Sequence, residues 1–457
     1  MKARRWVRAV AGISVLAAAS VGLLATGATG ATDPSAQFDK LKPIKAPSPC
    51  KNDTGVSDDT IKVGTIVPTS GTFALFYSQT LDGIKARIAQ ANAEGELGKR
   101  KIELVNVDDA GDAARNTTAA QQLAEQDKVF GIITESNAGD ASGAYLNSQK
   151  IPVVGWQLGL PVYGTYTNYF GMQNANTKNI KNEFTSRNAD VIKELGGTKL
   201  AIIGSNAANS VVFTEQVKSA ANKTKGLKTA YINHDIPVGT TEFGSVADQI
   251  KQSGADSLYT ALDNAGNTGL MQALKQAGVT LKPVIFPGGY SPLVLNLPTY
   301  DDVYFGIEFK PFELAATKSW KGYDDFKKWM TSESPNVPLA QVSAVGWLSA
   351  NTFIEGLKAA GVSCPTRKAF INNLRLEKGY TGNGFFDDPE TTIDFAKVYG
   401  KPFQCVYYVH VENKQFVPQF DGKPFCAKQL ITDNKITQVA GSAAATTTTA
   451  PPTTAAP

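Results

Sequence analysis

The sequence predicts an α/β protein of two successive units, each a parallel sheet flanked by helices. Three observations carry this. Short β-branched apolar runs alternate with stretches of helical apolar spacing along most of the chain, the pattern of βαβ units. The alternation breaks at the aromatic, irregular PVYGTYTNYFGMQNAN of residues 161–176 and then restarts. The chain between its biased ends is also too long for one usual core and suits two.

The elements follow in order. Residues 61–67, IKVGTIV, read as a buried strand that Pro68-Thr-Ser-Gly71 ends. Leu81, Ile84 and Ile88 then fall at helical spacing. Strands are expected at 101–107, 129–134 and 151–155, with helices at 117–126 and 141–149 between them. After the break, helices are expected at 177–195, 211–224, 243–252 and 266–277. The intervening strands are 199–203, 227–232, 257–262 and 283–286. Residues 303–309 read as a further strand, and 340–360 as a long helix ending at Gly361. A short helix opens at Pro365, and 406–411 with 415–417 read as an antiparallel hairpin.

The ends differ in kind. Lys2, Arg4, Arg5 and Arg8 precede an Ala/Gly-rich apolar run, which reads as a secretory signal over 1–31. Its removal takes away four of the formal +4 charges and leaves zero, which argues against nucleic acid as a partner. Residues 32–58 read as a Pro/Lys-rich tether, and 431–457 as an extended Thr/Ala/Pro tail. The four cysteines, Cys50, Cys364, Cys405 and Cys426, suggest two disulfides in an exported chain, with three connectivities open.

Several chemistries lack material. The loop from Pro68 to Gly71 carries no nucleotide-binding glycine pattern, and no cofactor is expected. His234 and His410 are the only histidines and no CxxC occurs, so no metal site and no histidine-based triad is expected. The pairs Asp108-Asp109 and Asp387-Asp388 lie in polar turns with no nucleophile near, which argues against an enzyme.

The order of IKVGTIVPTSG, IELVNVDDAGDAARN, FGIITESN, IPVVGW, GADSLYTALDNAGNTGLMQALKQAGV and TGNGFFDD…VYYVHVENKQFVP resembles one family. It is that of the extracytoplasmic solute-binding proteins of ABC importers, of the leucine/isoleucine/valine-binding type. The resemblance implies a two-lobed periplasmic-binding-protein type I fold with a solute cleft between the lobes. It places 59–170 with 303–380 in lobe one, and 171–302 with 381–430 in lobe two. It also implies a monomeric, secreted receptor, with a small-molecule solute and a membrane ABC permease as partners. A sensor module of the same fold is the alternative.

The same resemblance points to residues. Lobe one of the amino-acid binders grips ligand with a hydroxyl residue after the FGIIT-like strand, where this chain has Glu135 and Ser136. A second hydroxyl is expected after IPVVG, where Trp156, Gln157 and then Gly159 stand. Phe76 and Tyr77 occupy the aromatic position of the first loop, and Trp347 that of the long helix. In lobe two the corresponding positions are Asn209, Asp263 and the turn of Gly288 and Tyr290. The family's ammonium-binding glutamate would fall on Gly288 and is absent. Each choice has a structural alternative: core packing for the tryptophans, a solvated helix start for Glu135, turn chemistry for Asp263. The altered grips favour a solute with a flat or cationic part over leucine, isoleucine or valine. With lobes so placed, Cys50 and Cys364 come to the end of lobe one remote from the cleft. Cys405 and Cys426 flank the lobe-two hairpin, so the expected pairs are Cys50–Cys364 and Cys405–Cys426.

Overall fold

A computed structural model describes residues 33–71, 74–172 and 177–439, the side chains of residues 75 and 76 excepted. The signal expected over 1–31 and the tail beyond residue 439 lie outside the described residues.

The first sheet holds β1 (Thr60–Ile66), β2 (Lys101–Val107), β3 (Gly131–Thr134), β4 (Val153–Gly155) and β5 (Tyr169–Gly171). They run parallel in the order β2-β1-β3-β4-β5. Helices α1 (Ala74–Glu94), α2 (Ala113–Gln121), α3 (Gly143–Ser148) and α4 (Val162–Thr165) belong to the same stretch of chain.

A three-stranded strip then begins with β6 (Glu183–Thr185), and the second sheet with β7 (Lys199–Ser205), β8 (Lys228–Ile236), β9 (Ser257–Ala261), β10 (Val284–Phe286) and β11 (Val303–Ile307). Helices α5 (Arg187–Glu194), α6 (Ala208–Lys223), α7 (Gly244–Ser253) and α8 (Asn264–Gln276) alternate with these strands. The chain next forms α9 (Lys321–Glu333), α10 (Gln341–Ala360) and α11 (Arg367–Leu376). It closes with β12 (Cys405–Glu412), β13 (Gln415–Pro418), β14 (Phe425–Cys426), β15 (Gln429–Thr432) and β16 (Lys435–Gln438). The second sheet runs β13-β12-β11-β10-β9-β7-β8, parallel from β8 to β11 and antiparallel beyond.

Helix α10 returns to the first unit and packs on α1. Glycines make this approach close: a Cβ on Gly83 would stand 2.0 Å from the Ser343 carbonyl oxygen, and one on Gly346 1.9 Å from that of Thr80. Both disulfides join the expected partners, Cys50–Cys364 and Cys405–Cys426.

Four expectations are corrected. Strand 303–307 was expected in the first unit but lies in the second sheet. Val303 pairs with Val284, and Tyr304 with His410, so the return crossing follows Ile307. The helix expected over 177–195 is only Arg187–Glu194, because Glu183–Thr185 pairs with β15 instead. Ser186 strengthens that break: its hydroxyl donates to Asp190 (2.5 Å) and accepts from the Gln429 amide. The tail does not begin at 431, since β15 and β16 form an antiparallel hairpin there. The stretch 32–58 is no free tether. Phe38 is buried edge-on against Tyr399 (5.1 Å) and under the Arg375 guanidinium (5.1 Å), and Asn373 bonds both the amide and carbonyl of Ile44. Local composition shows the polarity of such an arm and not the surface that receives it.

Candidate functional site

In both sheets the strand order reverses beside the first strand of the unit, at β1/β3 and at β7/β9. Ligands of open α/β sheets bind beyond the strand ends at such reversals. Here the two sets of loops face one another across a cavity of about 340 Å³. The first unit contributes Tyr77 from α1 and Trp156 to Gly159 from the loop after β4. The second contributes Asn209, Asp263, Gly288 and Glu308 from the ends of β7, β9, β10 and β11. The same cavity continues to Phe184, Arg187, Val217, Ala220, Ile285 and Val406, on the sheet face beneath α5 and α6.

Glu308 ties the walls together. Its carboxylate accepts from Trp156 Nε1 of the first unit (3.3 Å) and from Gln341 Nε2 at the start of α10 (2.7 Å). Gln341 Oε1 in turn accepts from the Gly289 amide (3.2 Å). Burial raises the Glu308 pKa, while Gln341, the backbone, Trp156 and Arg187 pull it down. Gly159 brings the units into contact: it has φ +75°, and a Cβ there would stand 2.5 Å from the Phe213 ring of α6. Where a hydroxyl was expected, the absence of a side chain admits an aromatic ring.

Of the residues chosen from sequence, Tyr77, Trp156, Gln157, Asn209 and Asp263 line the cavity. Asp263 caps α8 through the Gly266 amide (2.7 Å) and accepts from the Gly239 amide (3.2 Å), so its carboxylate is committed to turns. The side chain of Phe76 is outside the described residues.

Glu135, Ser136, Tyr290 and Trp347 do not line it. Glu135 is fully buried at the end of β3, and neither carboxyl oxygen has a hydrogen-bond partner of good geometry. Burial pushes its pKa up to about 8, against weaker opposing pulls from Ser349 and the Trp156 amide. Ser136 donates to buried Asp109 (2.5 Å). Tyr290 donates to Glu313 (2.8 Å) and packs on Phe416 (4.7 Å). Trp347 is core, beneath the Arg87 guanidinium (5.7 Å) and against Phe326 (5.6 Å). Its face of α10 turns toward α1 and α9 rather than the cleft.

Sequence reasoning missed Arg187 and Glu308. A signal for Glu308 existed: a carboxylate directly after the apolar run VYFGI, as Glu135 follows GIIT. Arg187 had none, being hidden in a stretch read as one polar helix.

The profile of the periplasmic binding protein family matches residues 60–415. The Leu/Ile/Val-binding protein homolog 7 of Brucella abortus (strain 2308) is 24% identical over 365 residues, 75% of this chain and 89% of that protein. A fatty acid ABC transporter substrate-binding protein from Thermomonospora curvata superposes with TM-score 0.66 at 18% identity, over 82% of this chain and 95% of that one. A solute-binding protein of an R. palustris ABC transporter, in complex with 4-hydroxybenzoate, gives 0.61 at 22% identity, over 82% and 98%. At these identities the structural matches establish the fold.

Proposed function

The chain belongs to the type I periplasmic binding protein family, and on that premise we propose that it is the extracytoplasmic receptor of an ABC importer. It captures a small organic solute between its two units and hands it to a membrane permease. The observation that carries this reading is the cavity walled by both units at the reversal points of both sheets. Its volume of about 340 Å³ falls in the range of small-molecule sites, roughly 300–1,000 Å³. A site made by two bodies closes by hinge motion, so binding and a change of shape are linked. Two disulfides suit an oxidising compartment. Among the described residues no helix is long and apolar enough to cross a membrane. One chain supplies both walls, so capture needs no second copy.

The solute is not chiefly leucine, isoleucine or valine. Tyr77, Trp156, Phe213 and Tyr259 offer flat walls, which suit an aromatic or extended apolar body. Fatty acid and 4-hydroxybenzoate, named for two proteins of the same fold, are solutes of that kind. Arg187 in the wall offers a partner to an anionic group. The test is a thermal-shift screen of refolded, solute-stripped protein against amino acids, amines, amides, sugars and carboxylic acids. A true solute at a hundredfold excess over Kd stabilises by about 2.7 kcal/mol. Small-angle scattering on the hit should show compaction. A screen without any shift, or micromolar leucine binding, refutes the reading or its solute class respectively.

A further inference from the structure

Arg187 is the only basic side chain lining the cavity among the described residues. It opens α5, and its guanidinium lies over the Phe403 ring (5.1 Å) with one weak bond to the Phe403 carbonyl (3.3 Å). Its side chain also reaches the Tyr408 hydroxyl, but its Nε is buried without a partner, and among the described residues it joins no ion pair.

The acids of the same wall are each already served. Glu183 accepts from Thr177 Oγ1 (2.5 Å), Asp263 from two backbone amides, and Glu308 from Gln341 and Trp156. The cavity therefore holds hydrogen-bonded carboxylates and one guanidinium that has only neutral partners and a free Nε. A guanidinium fork matches a carboxylate bidentately, and such charge-assisted pairs are the strong ones. Beside Arg187 the cavity runs on between Phe184, Val217, Ala220, Ile285 and Val406. These belong to the apolar core of the second unit, so the arm is walled chiefly by apolar side chains.

Resting on the receptor reading, we propose that the solute is a monocarboxylate with an extended apolar body. Its head pairs with Arg187 in the second unit, not with the loops of the first, and its body lies along the apolar arm beneath α6. The first unit's Trp156 and Tyr77 then close over the complex.

The test is calorimetry on refolded, solute-stripped full-length protein with decanoate, its neutral counterpart decanamide, leucine and putrescine. Decanoate should bind, and decanamide should bind at least roughly ten-fold more weakly, one ion pair's worth of discrimination. Arg187→Gln should abolish the difference between them, and Arg187→Lys should restore part of it, since charge returns without the fork. Should Arg187→Gln fail to fold, Ala220→Leu keeps the charge and fills the apolar arm, and should weaken decanoate roughly ten-fold. Equal binding of decanoate and decanamide, or decanoate affinity unchanged in Arg187→Gln and Ala220→Leu, overturns the proposal. Binding of leucine or putrescine alone, independent of Arg187, overturns it while leaving the receptor reading standing. Absence of binding by any solute class overturns both.

Discussion

Glu135 offers a test that needs no solute. Its carboxyl is fully buried, with an ordinary pKa of 4.5 raised to about 8. Between those two values the unfolded chain has ionised at this position and the native protein has not. The native state then binds one more proton than the unfolded state, so stability falls as pH rises, by about 1.4 kcal/mol per pH unit. Over the interval from 4.5 to about 8 this group costs up to about 5 kcal/mol, fully felt above the folded pKa and absent below the unfolded one. Glu135→Gln keeps the shape and removes the titration. At pH near 7.5 the variant should be more stable than the parent by about 3 kcal/mol, after about 1 kcal/mol lost to an imperfectly bonded amide. At pH near 5 the two should agree within about 1 kcal/mol. The assay is denaturant unfolding of solute-free parent and variant across this range, followed by tryptophan fluorescence. Taking the difference between the two proteins cancels every other titrating group. A difference that is flat with pH, or that favours the parent as pH rises, would falsify the assignment of a neutral buried acid.

Further outcomes follow from the packing. Trp156→Ala should weaken solute binding roughly ten-fold by calorimetry, because it removes a flat cavity wall and the bond to Glu308. Gly159→Ala forces a Cβ toward the Phe213 ring at φ +75°; solute affinity should drop roughly ten-fold, while unfolding of the solute-free protein changes by only about 1 kcal/mol. Arg375 donates to the carbonyls of Phe395, Thr167 and Tyr169, and burial pulls its pKa down to about 9. Arg375→Ala should cost about 3–5 kcal/mol and expose the 34–58 arm to protease, since it strands those carbonyls and frees Phe38. Opening the Cys405–Cys426 loop, of separation 21, should cost about 3 kcal/mol by loop entropy, and opening Cys50–Cys364, of separation 314, about 6. Equal losses from the paired serine variants would speak against an entropic account.

The sequence by itself determined what local periodicity and composition control. Alternating β-branched and amphipathic runs specify parallel sheets with helices, because a strand buried on both faces needs unbroken apolar residues and its crossover needs a helical stripe. The hairpin of β12 and β13 was legible for the same reason, with Asn413 and Lys414 at positive φ in its turn. The family resemblance, not periodicity, pointed to Trp156 and Gln157, which with Tyr77 line the cavity.

Only the tertiary structure decided the rest. Strand β11 reads the same in either unit; its partners Val284 and His410, distant in sequence, assign it. Residues 183–185 have helical neighbours, yet pairing with Leu430 to Thr432 outweighs a local preference worth a few tenths of a kcal/mol per residue. Trp156 directly follows β4 and Trp347 sits within α10, and the direction each side chain takes puts Trp347 in the core and Trp156 in the cavity wall. Glu135 and Arg187 make the point most sharply. A charged residue in a sequence carries no record of whether water, a partner or nothing will meet it. That depends on the elements folded over it, which here leave the carboxyl sealed and neutral and the guanidinium facing a cavity.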